Sequence, residues 1–161
     1  TRLPTFEEVL QLAKGRIGLY LDLKDADTKN VLSLLREYGM IEDVVVYADE
    51  DQLLEFVRLQ PNIKIMPDPG TPERTDEIIE RFHPKVVAYT WKGITRECVE
   101  RCHAAGAKVF LDVLGDGDNR SGMKEVLDWG TDGLQTDRPE SLLEVLAERK
   151  KKKRRSEMPK E

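Results

Sequence analysis

The sequence contains little cysteine, which limits the chemistry available to it. Cys98 and Cys102 are its only two cysteines. They lie four residues apart in a predicted helix and share one face, so we interpret them as free thiols packed beside a core. Together with His103 they supply too few ligands for a metal site. Free thiols favour a reducing compartment such as the cytoplasm.

Long apolar runs are also lacking. No stretch approaches the roughly 20 apolar residues that a membrane-spanning helix needs. A signal peptide is absent too, but the sequence begins at Thr1 rather than at Met, so this absence says little. With 39% hydrophobic and 35% charged residues, the chain is expected to form one domain with highly charged helix surfaces.

Charge is distributed unevenly along the chain. Residues 149–161 contain eight Lys or Arg and two Glu, so they carry +6, and residues 1–148 carry −11. An acidic body with a basic tail lacks the basic folded surface of a nucleic-acid-binding domain. The run Lys150–Arg155 predicts a solvated, disordered tail, and attraction to an anionic membrane or nucleic acid is the alternative.

Short β-rich runs alternate with longer helical patterns. Thr5 and Glu8 form a capping box at the first helix, and Gly39 and Gly106 follow helix ends, where a left-handed backbone is needed. The predicted strands are Ile17–Leu23, Val44–Tyr47, Ile63–Met66, Val86–Thr90, Lys108–Val113 and Gly133–Gln135. The predicted helices cover about residues 5–14, 28–38, 50–59, 73–82, 94–105, 121–129 and 139–149.

Strands that are each followed by a helix predict a parallel sheet with right-handed crossovers. A doubly wound sheet would show nearly continuous apolar strands, but the first strand alternates between aliphatic and other residues. No glycine-rich dinucleotide turn follows any strand. We therefore predict an α/β fold of the TIM-barrel type, with an aliphatic outer face and polar residues at the C-terminal rim. The alternating residues are Ile17, Leu19, Leu21 and Leu23 against Gly18, Tyr20, Asp22 and Lys24.

The predicted barrel is incomplete. A barrel of this type has eight strands and typically about 250 residues, whereas six strands are predicted here. The segment Thr5–Lys14 reads as a helix without a preceding strand, as expected if the chain is part of a longer domain. We predict that residues 1–148 form a barrel domain lacking its first two strands. The gap would leave parallel strand edges open at residues 17–23 and 133–135, and open edges favour self-association.

Three segments resemble the glycerophosphodiester phosphodiesterase family, with matching order and spacing across roughly residues 2–147. Gly130-Thr-Asp-Gly-Leu-Gln-Thr-Asp-Arg-Pro139 is the most specific, and is similar to the family's final strand and turn, Gly-x-Asp-Gly-(aliphatic)-x-Thr-Asp-x-Pro. Gly18-Leu-Tyr-Leu-Asp-Leu-Lys24 resembles its third strand, which ends in acid-x-Lys. Leu3-Pro-Thr-Phe-Glu-Glu-Val-Leu10 resembles the helix leading into that strand.

The resemblance implies metal-dependent hydrolysis of glycerophosphodiesters to glycerol phosphate and an alcohol. It implies Mg²⁺ or Ca²⁺ as cofactor, a small-molecule phosphodiester as partner, Asp22 as a metal ligand and Lys24 as a catalytic residue. The family's first strand ends in His-Arg, and its second ends in Glu-x-Asp followed by another catalytic His. None of these is in this sequence. His83 and His103, at the end of one helix and inside another, are expected to be structural or surface residues.

Two departures from the family pattern bear on the site. The family usually has Glu where this chain has Asp22, and the shorter Asp changes the metal geometry. The family often shows Trp-Thr-Val-Asn near its seventh strand, whereas residues 111–119 read Leu-Asp-Val-Leu-Gly-Asp-Gly-Asp-Asn. This difference alters the substrate-facing wall and is consistent with a different leaving group. The segment Asp116–Asn119 lacks the twelve-position calcium pattern and predicts a turn that caps a helix.

The chemistry depends on side chains that point into the barrel. Asp22 and Lys24 are two residues apart on a strand and face the same side. A carboxylate can hold a metal and an ammonium can stabilise phosphoryl charge, with an ion pair at the barrel top as the alternative. Asp112 has the same phase and is a candidate ligand for glycerol hydroxyls or for the metal shell. Tyr89 and Trp91 are candidates for the substrate wall, with core filling as the alternative.

Two other functions fit the same residues. The chain could be a non-catalytic or truncated family member that acts as a binding or assembly module, which the absence of His-Arg and Glu-x-Asp upstream would favour. It could also belong to an unrelated barrel enzyme, such as an aldolase that uses Lys24 as a Schiff-base amine. That amine would need an apolar pocket, and Asp22 beside it argues against one.

Overall fold

The computed structural model describes residues 2–157 of the chain. Helices and strands alternate along it as the sequence predicts. The strands are β1 Leu19–Asp22, β2 Val44–Tyr47, β3 Lys64–Ile65, β4 Val86–Thr90, β5 Lys108–Asp112 and β6 Gly133–Gln135. The helices are α1 Phe6–Ala13, α2 Thr28–Glu37, α3 Glu50–Leu59, α4 Thr75–Phe82, α5 Arg96–Ala104, α6 Arg120–Trp129 and α7 Pro139–Glu157.

The strands pair in parallel and in sequential order. They form two three-stranded sheets, β1-β2-β3 and β4-β5-β6. One backbone hydrogen bond crosses between them, from the N–H of Ala88 to the carbonyl of Pro67 at 2.9 Å. Pairing is sparse there because Pro67 has no N–H to donate. The result is an incomplete barrel of the TIM type, as predicted, built from six βα units.

The pleat of the strands separates two kinds of side chain. Leu21 on β1 and Val46 on β2 are buried beneath the helices, and Val109 and Leu111 on β5 are buried in the same way. Their neighbours along each strand point to the opposite side, into the lumen. The alternation predicted from the sequence therefore describes the outer and inner faces of the barrel.

Three residues of the closing segment 130–139 have a clear local structural reason. Gly130 ends α6 with φ 102°, a left-handed conformation that favours glycine. The Asp132 carboxylate accepts a hydrogen bond from the Val109 N–H at 2.9 Å and lies 2.9 Å from His103 Nε2. A Cβ at Gly133 would come within 2.6 Å of Phe110. These contacts fix β6 beside β5 and leave room for Phe110 in the lumen.

The basic end of the chain differs from expectation in its backbone. Helix α7 continues to Glu157, so residues 149–157 are helical where a disordered tail is predicted. Lys and Arg are good helix formers, and residues 140–157 contain neither Gly nor Pro to interrupt them. Residues 158–161 lie outside the described part of the chain, and the domain boundary at residue 148 stays a prediction.

The two ends of the strand array are open. Within residues 2–157, β1 pairs only with β2 and β6 only with β5. The exposed large hydrophobic residues are concentrated on the elements that flank this opening, and Leu54 is the exception. None of the helices described is both long and apolar enough to cross a bilayer. The flanking exposed residues are Leu3, Leu12, Ile17, Tyr20, Leu143 and Leu146.

We predict that the isolated chain self-associates through these edges. Ile17, 69% exposed beside β1, and Leu143, 66% exposed on α7, are the residues to change. The Ile17→Lys/Leu143→Lys double variant should shift the chain towards monomer, because a lysine beside β1 opposes strand pairing and a lysine on α7 removes exposed apolar surface next to the opening. Light scattering after size-exclusion chromatography measures the shift. Leu54→Lys, on α3, is the matched control and should leave the assembly unchanged. A monomeric wild-type chain would contradict the prediction.

Candidate functional site

A polar cavity of 220 Å³ opens at the C-terminal mouth of the lumen. Each of the six strands, or the residue just after it, contributes to its lining. Because parallel strands bring their carboxyl ends to one edge, residues distant in sequence meet here. The lining residues are Tyr20, Asp22, Lys24, Tyr47, Met66, Asp68, Ala88, Tyr89, Thr90, Phe110, Asp112 and Gln135.

Asp22 and Lys24 meet as an ion pair at this mouth. Lys24 Nζ lies 2.7 Å from Asp22 Oδ1. The Lys24 side chain is 72% exposed and the Asp22 side chain is 47% exposed. The ammonium also lies over the ring of Tyr47, 5.7 Å from its centroid. Both side chains therefore remain accessible to a ligand. No closed apolar pocket surrounds the amine, so the environment that a Schiff-base lysine needs is missing.

Asp112 and Asp68 add two more carboxylates to the lining. Asp112 Oδ1 accepts a hydrogen bond from the Leu114 N–H at 2.8 Å. Asp68 Oδ1 accepts from the Gly70 N–H at 2.8 Å, and Asp68 Oδ2 lies 3.3 Å from the Tyr47 hydroxyl. The strand phase in the sequence predicts Asp112 at the mouth, whereas it does not predict Asp68. Asp68 lies beyond Pro67, outside the strand that ends at Ile65, so the strand alternation does not extend to it.

Aromatic rings line the lumen beneath the carboxylates. Tyr20 packs on Tyr47 with ring centroids 6.1 Å apart and on Phe110 at 5.9 Å. The contact with Phe110 joins β1 to β5 across the lumen. Burial, followed by the nearby charge of Asp68, raises the pKa of Tyr47 to about 12. Burial and the charge of Asp22 likewise raise the pKa of Tyr20.

Tyr89 directs its hydroxyl into the core. Although it borders the cavity, its side chain is buried among the residues beneath the helices. The hydroxyl lies 2.7 Å from Thr75 Oγ1 and 3.8 Å from Cys102 Sγ. This placement corresponds to core filling, the alternative given for Tyr89, because Tyr89 shares the strand phase of the buried Val87. Its contact with substrate stays a prediction. The lumen-facing residues of β4 are its neighbours Ala88 and Thr90.

Trp91 packs on the loop that follows β5. A Cβ at Gly117 would lie 2.4 Å from the indole, and one at Gly122 would lie 3.1 Å from it. The ring is thus fitted against two glycines outside the lumen cavity. It borders a neighbouring groove of 380 Å³ that Thr90 and Asp112 also line. Trp91 therefore helps to shape the rim, and its predicted contact with substrate stays a prediction.

Asp118 ties this loop to the turn after β6. Its carboxylate, in a residue only 7% exposed, accepts hydrogen bonds from the Thr136 hydroxyl and from the Asp137 N–H. The next residue, Asn119, caps α6 through the N–H groups of Ser121 and Gly122, as the predicted capping turn requires. The acidic loop, residues Asp116–Asn119, thus positions the end of β6, where Gln135 lines the lumen.

The remaining candidates for proton transfer or metal binding lie away from the mouth. His83 ends α4 in a left-handed conformation with φ 43°, before β4 begins. His103 pairs with Asp132 just before β6, also at the amino ends of the strands. Cys98 and Cys102 are buried free thiols, as predicted. Among residues 2–157, no group of three or more His, Cys, Asp or Glu could hold a metal ion.

The geometry thus defines six βα units of a parallel barrel with a polar mouth. Solved glycerophosphodiester phosphodiesterases share this fold. Those from Agrobacterium tumefaciens and Parabacteroides distasonis are each 22% identical to the chain, with TM-scores of 0.77 and 0.76. A phosphodiesterase from Oleispira antarctica, in complex with its product sn-glycerol-3-phosphate, is 19% identical with a TM-score of 0.77.

The similarity covers most of this chain but only part of those proteins. It extends over 89% of this chain against the Agrobacterium and Oleispira structures and over 91% against the Parabacteroides structure. The chain spans 62%, 61% and 65% of their respective lengths. No protein-family model matches the sequence, and none of the curated proteins matches it.

We predict that alkali destabilises the chain partly through Tyr47. Its raised pKa means that the folded chain holds the phenolic proton more tightly than the unfolded chain, whose tyrosines titrate near 10. This contribution to stability is complete below pH 10 and is lost as pH rises from about 10 to about 12. The Tyr47→Phe variant should show a shallower fall in unfolding free energy over that range. Urea melts at several pH values measure the free energy of unfolding. If this free energy falls equally steeply with pH in wild type and in Tyr47→Phe, the contribution of Tyr47 is refuted.

We predict that Gly117→Ala destabilises the chain, because the new methyl group collides with Trp91. Overpacking of this kind typically costs about 1–3 kcal/mol. In a Trp91→Leu background the same change should cost less, since a smaller side chain makes room for it. A double-mutant cycle of unfolding free energies measures this coupling. Equal costs in both backgrounds would show that Trp91 does not pack on Gly117.

Proposed function

We propose that this chain, together with two further βα units, forms a metal-dependent phosphodiesterase that hydrolyses glycerophosphodiesters to glycerol phosphate and an alcohol. The observation that carries the proposal is the meeting of Asp22, Lys24 and Asp112 at the C-terminal mouth of the lumen. Active sites of barrels of this type lie at that mouth. The solved phosphodiesterases with this fold support the same reaction class.

Lys24 has the exposure and the chemistry to bind a phosphoryl group. Its ammonium is a compact point charge on a flexible stem, held 2.7 Å from Asp22. In the proposed reaction this charge stabilises the negative charge that develops on the phosphoryl oxygens. Asp22 limits the orientations of the amine before substrate arrives. The neighbouring Tyr47 ring restricts it from a second side.

A divalent metal, Mg²⁺ or Ca²⁺, would neutralise charge on the phosphoryl oxygens when bound. Asp22 offers one hard oxygen ligand of the kind these cations prefer, but in residues 2–157 the available donors form no complete site. In the proposal, the other ligands and the acid–base histidines belong to the two further units. This chain's own part is to hold the phosphodiester at Lys24 and to enclose its glycerol group in the lumen.

A second candidate is a non-catalytic binding or assembly module. The observation that favours it is the position of both histidines at the amino ends of the strands, away from the mouth. Proton transfer to a leaving alkoxide typically contributes about 10²–10⁴ in rate, and no histidine of this chain lies where it could supply that step. Such a module would bind the phosphodiester without turning it over.

We predict that the isolated chain does not hydrolyse glycerophosphodiesters and that a completed barrel does. The completed barrel adds two βα units carrying His-Arg and Glu-x-Asp ahead of α1, with Mg²⁺ or Ca²⁺ supplied. In it, Lys24→Ala should lower kcat/KM by about a hundredfold or more, since it removes a preorganised charge. Release of glycerol phosphate from a glycerophosphodiester measures the rate.

Two variants serve as matched controls for that measurement. His83→Ala and His103→Ala should leave kcat/KM nearly unchanged, because both histidines lie at the opposite end of the strands. Metal-dependent turnover by the isolated chain would show that the missing machinery is wrongly assigned. An inactive but folded completed barrel that still binds the diester would favour the binding module.

A further inference from the structure

Asp68 has a fixed carboxylate at the cavity and no part in the reaction as proposed above. The Gly70 N–H holds one of its oxygens at 2.8 Å, and the Tyr47 hydroxyl lies 3.3 Å from the other. Both donors are neutral, so they orient the carboxylate without cancelling its charge. Asp68 also borders a larger cleft outside the lumen, together with Lys24 and Tyr47. It therefore stands at the boundary between the lumen and that cleft.

The charges around the cavity define the kind of ligand that fits it. Asp22, Asp68 and Asp112 line it, against the single ammonium of Lys24, which is already paired with Asp22. A phosphate alone would meet this excess of negative charge. A hydroxyl group, by contrast, donates its hydrogen to a carboxylate, and such charge-assisted hydrogen bonds are among the stronger ones.

The size and the floor of the cavity point to the same ligand. A volume of 220 Å³ lies below the roughly 300–1,000 Å³ typical of sites for drug-sized molecules. The rings of Tyr20 and Phe110 lie together across the lumen and offer an apolar surface to a short carbon skeleton. A small phosphorylated polyol fits the carboxylates, the volume and the aromatic rings of the cavity. Its phosphate would lie at Lys24 and its hydroxyls at the carboxylates.

We propose that Asp68 is a specificity-determining residue that accepts a hydrogen bond from a hydroxyl of the polyol part of a phosphorylated ligand. The inference rests on the proposed function for the placement of phosphate at Lys24. Tyr47 acts through Asp68 as a positioning residue, because its hydroxyl orients the carboxylate. Asp68 thus distinguishes a polyol phosphate from an alkyl phosphate of the same size.

The test compares two probes that differ only in hydroxyl groups, sn-glycerol 3-phosphate and propyl phosphate. Their dissociation constants are measured on the full chain by NMR titration with Mg²⁺ present. Wild type should bind sn-glycerol 3-phosphate about tenfold more tightly, the scale of one hydrogen bond to a charged group. In Asp68→Ala, binding of sn-glycerol 3-phosphate should weaken, while binding of propyl phosphate should strengthen because a repelling charge is gone.

Two further variants separate a specific role from a structural one. Tyr47→Phe keeps the ring and the Asp68 charge, so it should reduce the preference for sn-glycerol 3-phosphate several-fold without strengthening propyl phosphate binding. Asp116→Ala removes a carboxylate from the same face of the barrel, 80% exposed and 3.6 Å from Lys92, outside the cavity lining. It should leave the preference unchanged. Thermal melts of each variant confirm that it is folded.

The outcomes distinguish this inference from the function on which it rests. If both probes bind and Lys24→Ala weakens both, the placement of phosphate holds. The role of Asp68 is then overturned if Asp68→Ala shifts both affinities in the same direction or leaves their ratio unchanged. If neither probe binds to wild type, both the proposed function and the role of Asp68 are overturned.

Discussion

The pleat of the parallel strands determines on which face the strand residues of the candidate site lie. On β5, Val109 and Leu111 are buried beneath the helices while Phe110 and Asp112 face the lumen. A shift by one residue would exchange these two sets, placing a carboxylate against the helices and removing it from the cavity. Parallel pairing then brings the carboxyl ends of all strands to one mouth. The site depends on this register more than on any single contact.

The loops at the mouth are joined to each other as well as to the strands. Trp91 packs on Gly117, and Asp118 in the same loop receives hydrogen bonds from Thr136 and Asp137. The loops after β4, β5 and β6 are thereby connected in sequence. Within a site of this kind, preorganised groups stabilise developing charge more effectively than mobile ones do. The acidic loop therefore holds the loops after β4 and β6 in place.

The sequence predicted the fold well because its signals were local and consistent. Strand alternation, capping residues and left-handed glycines all indicated the same series of βα units. The site was predictable only where a strand was long enough to show its phase, as at Asp22 and Asp112. Asp68 lies beyond Pro67, outside the strand that ends at Ile65, and could not be found in this way. For Tyr89 the sequence leaves substrate wall and core filling open, and the contacts of its hydroxyl with Thr75 and Cys102 correspond to core filling.

The central claim is that one end of the lumen holds a phosphorylated polyol against Lys24. A crystal structure of the chain soaked with sn-glycerol 3-phosphate tests this most directly. The account predicts phosphate oxygens within about 3 Å of Lys24 Nζ and the carbon skeleton over the rings of Tyr20 and Phe110. Density for the ligand outside the lumen, or Asp22 and Asp112 turned towards the helices, would contradict the account.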